Sequence, residues 1–253
     1  MVNLKINNLT KVYNDKTVLN NISFEVNDGE FLSILGPSGC GKTTLLKILI
    51  GIESPTSGEI IKNEKDITNL DPSKRGMGIV FQNYALFPNM NVLDNVMYAL
   101  NLKLKNKDKA KKEAMKVLNV VNMDEHINKY PHELSGGQQQ RVAIARTLSL
   151  KPDIILFDEP MSALDADNRL ILRKELKALQ KKFKTTMIYI THDQEEAFSL
   201  SDRVMVMHDG NIEQIDVPNK IFNHPKNDYV RNFVTNHLKE KVSSIEKCTG
   251  IDL

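Results

Sequence analysis

Gly36-Pro37-Ser38-Gly39-Cys40-Gly41-Lys42-Thr43 lies between the apolar run Phe31-Leu32-Ser33-Ile34-Leu35 and the segment Thr44-Leu45-Leu46-Lys47-Ile48-Leu49. The stretch fits G-x-x-x-x-G-K-[ST] at every defined position. The run before it reads as a buried strand, and the segment after it as a helix that stops at Gly51. Glycines let the backbone curl so that successive N–H groups face one anion, and the helix start adds the positive end of its dipole. Gly36 through Thr44 is therefore the expected phosphate cradle. Lys42 is expected to reach the β- and γ-phosphates of a bound nucleotide, and the Thr43 hydroxyl to bind Mg2+. Cys40 occupies a free position of the pattern. With no base partner indicated, it reads as part of the loop and not as a nucleophile.

Downstream, Ile154-Ile155-Leu156-Phe157-Asp158-Glu159 is an apolar run ending in two carboxylates. In an open parallel sheet, ligands gather at the carboxyl ends of strands. Asp158 suits Mg2+, directly or through water. Glu159 can point at the water attacking the γ-phosphate and serve as general base. Around these two motifs the chain alternates. Residues 4–35 read as strands and turns, with Asn27-Asp28-Gly29 a turn. Residues 89–150 read as a helical insert whose lysine-dense piece, Lys103 to Lys112, is a solvated helix face. A helix is expected over 167–183, a strand over Met187-Ile188-Tyr189-Ile190, a short helix through Glu195-Glu196-Ala197-Phe198 and a strand over Val204–Met207. Such alternation predicts an α/β fold: a mostly parallel sheet flanked by helices, with an N-terminal antiparallel β-subdomain and an inserted α-helical subdomain.

Composition sets the outer bounds. With 41% hydrophobic and 26% charged residues, the chain is no disordered, collagenous or disulfide-stapled protein. Its 34 basic and 32 acidic residues leave a net charge of +2, so no electrostatic case for nucleic acid arises. Cys40 and Cys248 lie far apart with no metal-binding spacing, which fits a reduced cytoplasmic setting. The first residues, Met1-Val2-Asn3-Leu4-Lys5-Ile6, lack the apolar core of a signal peptide. No apolar run approaches the roughly 20 residues a membrane span requires. If the chain serves a membrane process, another chain is expected to supply the membrane part.

Between the two motifs stands Leu134-Ser135-Gly136-Gly137-Gln138-Gln139-Gln140-Arg141. Here the chain resembles the nucleotide-binding subunit of ATP-binding cassette (ABC) transporters, whose signature is LSGGQ, over residues 2–235. The resemblance implies a P-loop NTPase core and ATPase activity with ATP and Mg2+. It implies that Tyr13 stacks on adenine, that Gln82 contacts Mg2+ and water and links to the membrane subunit, and that His192 bonds the γ-phosphate. Asp165, in Ser162-Ala163-Leu164-Asp165, resembles the acid of the loop that crosses the dimer interface, and it also suits a helix N-cap. The family pairs two subunits head to tail. ATP then lies between one subunit's phosphate loop and Ser135, Gly136, Gly137 and Gln138 of the other, a second helix-start anion site. ATP binding closes such a homodimer, and hydrolysis reopens it.

Phe81-Gln82-Asn83-Tyr84-Ala85-Leu86-Phe87-Pro88 and Thr191-His192-Asp193-Gln194-Glu195-Glu196-Ala197 resemble the importer branch for maltose-type sugars, polyamines, ferric iron and phosphonates. That likeness implies integral-membrane permease partners, a substrate-binding protein acting indirectly, and a place on the cytoplasmic face of the plasma membrane. Tyr84, Ala85, Leu86 and Phe87 could line a groove for a short permease helix. Many members of the branch continue into a small regulatory β-barrel. The stretch after Thr235, read as a tail over 236–253, is too short to build one. The alternatives are a soluble ABC ATPase of repair, translation or iron–sulfur assembly, and the ATPase of an exporter with separate membrane subunits. The chain names no cargo; polyamine, phosphonate, iron or quaternary amine stand ahead of sugar.

Overall fold

The protein, seen here as a computed structural model, is described over residues 2–249. It divides into two compact units, one built from Met1–Arg75 and Thr186–Leu253, the other from Gly76–Thr185. The fold is α/β with mixed sheets.

In the first unit, β1 (Val2–Tyr13) and β2 (Lys16–Asn27) form an antiparallel hairpin. Its two-residue turn, Asn14-Asp15, has φ of 43° and 65°. Two positive φ values give the turn a twist that matches the strands, and Asn and Asp tolerate them. Along β2, Leu19, Ile22, Phe24 and Val26 are buried while their neighbours face outward. β3 (Phe31–Leu35) is buried throughout and leads into α1 (Lys42–Ile50). β4 (Ser57–Lys62) and β5 (Lys65–Asp66) complete an antiparallel sheet of order β2-β1-β4-β5. The end of α1 is capped by buried Arg75, which donates to the carbonyls of Ile48 (2.7 Å), Leu49 (2.9 Å), Thr68 (2.7 Å) and Leu70 (2.8 Å). A cation there complements the negative end of the helix dipole and satisfies its last carbonyls.

The second unit pairs β6 (Met77–Val80) in parallel with β7 (Ile154–Asp158). Between them run α2 (Val92–Leu104), α3 (Lys107–Val120) and α4 (Gly136–Ser149); α5 (Ala166–Phe183) follows β7. Each helix start carries a side-chain cap: Asn91, Asn106, Ser135 and Asp165. Buried Asn95 donates to the carbonyls of Phe87, Met90 and Asn91 and accepts the Phe87 N–H, which fixes the loop ahead of α2. In α3 the buried face is Ala110, Ala114, Val117 and Leu118, so the lysines point to solvent.

The chain then returns to the first unit with β8 (Thr186–Thr191), α6 (Gln194–Leu200), β9 (Arg203–His208) and β10 (Asn211–Asp216). β3 pairs in parallel with β8 on one side and β9 on the other, and β10 adds antiparallel to β9. Glu30 and Arg203 bind each other through two contacts, 2.6 and 3.1 Å, at the start of this sheet. Beyond it come α7 (Pro218–Asn223), the single turn α8 (Asp228–Val230), a π-helical stretch Arg231–Asn236 and α9 (His237–Thr249). Ile221, Val230 and Val234 join Leu35, Ala197, Val204 and Val206 in one core, with Leu238 packed against it. Helical backbone thus passes through position 235 without a break, and the packing continues beyond it. Cys248, read from the sequence as an exposed or weakly packed thiol, lies outside the residues whose side chains are described.

Candidate functional site

Phosphate-loop geometry follows from glycine. A Cβ on Gly36 would stand 2.5 Å from the Met207 carbonyl oxygen and 2.7 Å from Cys40 Sγ. On Gly41, with φ of +103°, it would stand 2.7 Å from the Val18 carbonyl oxygen. Neither position admits another residue without moving backbone. Gly39 also has a positive φ, and the space beside it is open. Gly41 is the N-cap of α1 and no side chain caps that start. Lys42 is 4% exposed and curls back over the loop, its Nζ donating to the carbonyls of Gly36 (2.8 Å) and Pro37 (2.9 Å). The groups gathered here are backbone N–H, an ammonium and the Thr43 and Thr44 hydroxyls, a donor set suited to an anion. Burial pushes the Cys40 thiol up, against the pull of Lys42, which keeps it protonated and inert.

His192 occupies the bend between β8 and α6 and is exposed. The register Leu35↔Thr191 sets it beside the strand end from which the phosphate loop departs. Tyr13 ends β1; its hydroxyl donates to the Glu53 carboxylate, and Lys11 Nζ sits 4.6 Å from the ring centroid. That places the ammonium within cation–π range of the ring.

In the second unit, Gln82 and Asp158 line one open pocket with Phe81, Asn83, Ser162 and Ala163. Gln82 Nε2 donates to Ser162 Oγ at 3.0 Å, and Ser162 Oγ donates to the Glu159 carbonyl at 3.0 Å. Its polar ligands are oxygen-bearing and hard. Among the described residues no cluster of three or more His, Cys, Asp or Glu could hold a metal. Oxygen donors of this kind are the ones a hard cation such as Mg2+ takes, alongside waters and substrate phosphates. Glu159 follows the strand end with φ of +44°, a left-handed backbone that costs a non-glycine residue about 1–2 kcal/mol. A sequence does not display backbone strain of this kind.

Ser135 caps α4: its Oγ accepts the Gln138 N–H at 3.3 Å while Gln138 Oε1 accepts the Ser135 N–H at 3.0 Å. A Cβ on Gly136 would meet nothing nearer than 3.5 Å, and one on Gly137 nothing nearer than 3.7 Å. Asp165 caps α5, accepting the Asn168 N–H at 2.9 Å, and those bonds hold its carboxyl below the usual range. Two side chains that hold neighbouring loops escape sequence reading. Arg146 on α4 donates to the carbonyls of Tyr84 (3.0 Å) and Ala85 (2.7 Å), two residues with positive φ. Glu196 is buried against β8. Its spacing from Asp193 signals a capping box, but its carboxylate binds Tyr189 and Thr191 hydroxyls instead.

So Tyr13, Gly36–Thr44 and His192 belong to the first unit, and Gln82, Ser135–Gln138, Asp158, Glu159 and Asp165 to the second.

A family model described as ABC transporter matches residues 19–162. The chain is 49% identical over 231 residues to the spermidine/putrescine import ATP-binding protein PotA of Mycoplasma capricolum, covering 91% of this chain and 66% of that protein. It is 46% identical over 252 residues to the Fe(3+) ions import ATP-binding protein FbpC of Fusobacterium nucleatum, covering 98% and 68%. The chain thus spans about two thirds of the length of these curated relatives. A solved dimeric post-hydrolysis structure of the ATP-binding cassette MJ0796, bound to ADP and Pi, is similar with a TM-score of 0.76 and 34% identity, over 85% of this chain and 98% of that one. The ADP conformation of the cassette MJ1267 is similar with a TM-score of 0.82 and 26% identity, over 92% and 99%.

Proposed function

The chain belongs to the ABC transporter family, and from that premise we propose that it is the ATP-hydrolysing subunit of an importer. Lys42 and the N–H groups of Gly36–Thr44 hold the phosphates, and Tyr13 stacks on the adenine. Thr43, Gln82 and Asp158 would hold Mg2+, which supplies charge neutralisation on the phosphate oxygens when bound. Glu159 accepts a proton from water as the water oxygen bonds to the γ-phosphorus. The β,γ-bridging P–O bond breaks, leaving ADP and phosphate, while His192 donates to a γ-phosphate oxygen.

Each ATP is shared with a second copy of the chain, which contributes Ser135, Gly136, Gly137, Gln138 and Asp165. The observation that carries this reading is the pair of glycines at the start of α4. Nothing among the described residues crowds a Cβ at either one. That packing therefore does not ask for glycine over alanine, the stronger helix former. Bare backbone at a helix start is what a closely approaching phosphate from outside the chain needs.

Among the described residues no helix is long and apolar enough to cross a membrane. On the importer reading, permease subunits dock near Tyr84, Ala85, Leu86 and Phe87 on the cytoplasmic face. The relatives named above import spermidine and putrescine or Fe(3+), both cationic cargoes; a cationic solute, polyamine first, is the proposed cargo here. Neighbouring genes for a binding protein would supply the means to test it.

The decisive experiment mixes two inactive variants. Ser135→Arg should abolish steady-state ATPase activity while leaving nucleotide binding to the monomer intact, and Lys42→Ala should lose most nucleotide binding. In a mixed dimer one site has both an intact phosphate loop and an intact signature segment, and partial hydrolysis should return. Normal ATPase activity of Ser135→Arg alone would overturn the shared site.

A further inference from the structure

Four hydrogen bonds bracket His192 without using its side chain. Tyr189 OH and Thr191 Oγ1 each donate to Glu196 Oε2 at 2.8 Å. Thr191 Oγ1 in turn accepts the Asp193 N–H at 3.0 Å, and Asp193 Oδ1 accepts the Glu196 N–H at 3.0 Å. Residues 189, 191, 193 and 196 thus close a ring around position 192. Glu196 is 4% exposed, and Tyr189 is wholly buried. A carboxylate taken out of water loses several kcal/mol of hydration, which only good hydrogen bonds offset. Keeping one here, where an apolar residue could fill the space, needs a reason beyond packing.

The surroundings supply one. Thr191 is the last residue of β8, and its register partner is Leu35, the residue before the phosphate loop. The bend that follows is held from β8 through Glu196. It is also held from the far side of α6, where Gln194 Nε2 donates to the Phe233 carbonyl at 3.1 Å and Lys241 pairs with Glu195 at 3.0 Å. An exposed two-residue bend would otherwise be mobile in its backbone. We propose that Glu196, with Tyr189 and Thr191, is a positioning device that fixes the bend carrying His192 beside the phosphate loop. Glu196 does not touch nucleotide; it acts through His192. This inference rests on the γ-phosphate role of His192 given above.

Two variants separate positioning from folding. Glu196→Gln keeps the volume but replaces one acceptor oxygen by a donor. Tyr189→Phe deletes a single hydroxyl and keeps the ring. For each, kcat and KM for ATP are measured beside the melting temperature of the nucleotide-free chain. The expected result is a kcat reduced about tenfold to a hundredfold, the scale of a misplacement near 1 Å, with KM for ATP changed less than about twofold. Glu196→Asp, which keeps the charge on a shorter stem, should recover part of kcat. The deciding measurement is Glu196→Gln made in a His192→Ala background. If Glu196 works through His192, the double variant should be no slower than His192→Ala alone. Additive loss, or a lower melting temperature with kcat per folded molecule unchanged, would overturn the proposal and leave the role of His192 standing. A His192→Ala chain that hydrolyses ATP like the wild type would instead overturn that role, and the positioning device with it.

Discussion

The Gly36–Thr44 loop and the start of α4 both carry glycines, yet their surroundings in the fold differ. Gly36 and Gly41 are dictated from within. A Cβ would strike the backbone of β9 at Met207 in the first case and the backbone of β2 at Val18 in the second. Gly136 and Gly137 have no such neighbour; the nearest side chains, Leu164 and Asn168, stand at ordinary contact distance. A glycine that its own fold demands is evidence about the fold. A helical glycine that its own fold does not demand is evidence about something that arrives. Under the function proposed above, the two segments are the halves of one site, each supplied by a different copy of the chain.

Glu159→Gln tests the comparison most severely. Loss of a positioned general base typically slows hydrolysis by about 10²–10⁴-fold. Gln keeps the size while removing basicity and a negative charge near the γ-phosphate. ATP affinity should stay near native, and the ATP-bound chain should run as a dimer on size exclusion, joining the two half-sites and holding them. A variant that stays monomeric at saturating ATP would break the idea that the segments meet across a pair.

Gly41→Ala comes next. It places a methyl group 2.7 Å from the Val18 oxygen at a φ of +103°. Overpacking and left-handed strain together should destabilise the chain by on the order of 3 kcal/mol. That lowers the melting temperature by roughly 5–10 °C and removes nucleotide binding with it. Calorimetry of the nucleotide-free chain checks the first effect and nucleotide titration the second. Native-like melting would show that the loop's glycines are not dictated from within.

What the sequence made legible divides along the same line. Spacing and flanking runs placed Gly36–Thr43 between a strand and a helix and Asp158-Glu159 at a strand end, because the apolar character of each strand is local. The Asn14-Asp15 and Asn63-Glu64 turns show themselves only in the backbone, where both residues of each pair have positive φ. Residues held by distant partners stayed silent. Arg75 caps α1 from beyond β5, Arg146 holds the Tyr84-Ala85 loop, and Glu196 braces β8. None of these bonds follows a period or a motif. The helices after Asp216 were equally hidden. They are short, include a π-helical stretch, and owe their burial to Leu35, Val204 and Val206, which are remote in sequence.

The smallest expected effect is the most informative one. Gly137→Ala adds a methyl group whose nearest neighbours, Asn168 Oδ1 and Cγ, stand at 3.7 and 3.9 Å, so the chain itself has room for it. Alanine also favours the helix, by up to about 1 kcal/mol. The nucleotide-free variant should therefore melt at or slightly above the wild-type temperature, and nucleotide should bind to the monomer as before, since the phosphate loop lies in the other unit. Steady-state ATPase activity should nevertheless fall about tenfold, because about 1.4 kcal/mol of lost contact to a phosphate at the helix start is one decade. Each part of this result carries its own meaning. A lower melting temperature would mean that the fold does require glycine at 137, which would dissolve the contrast with Gly36 and Gly41. Unchanged hydrolysis would mean that no ligand approaches the start of α4 closely enough to feel one methyl group. Stability kept and activity lost is the combination that only an external partner explains, since a residue serving its own fold cannot be replaced by a better helix former and leave the fold content while the chemistry suffers.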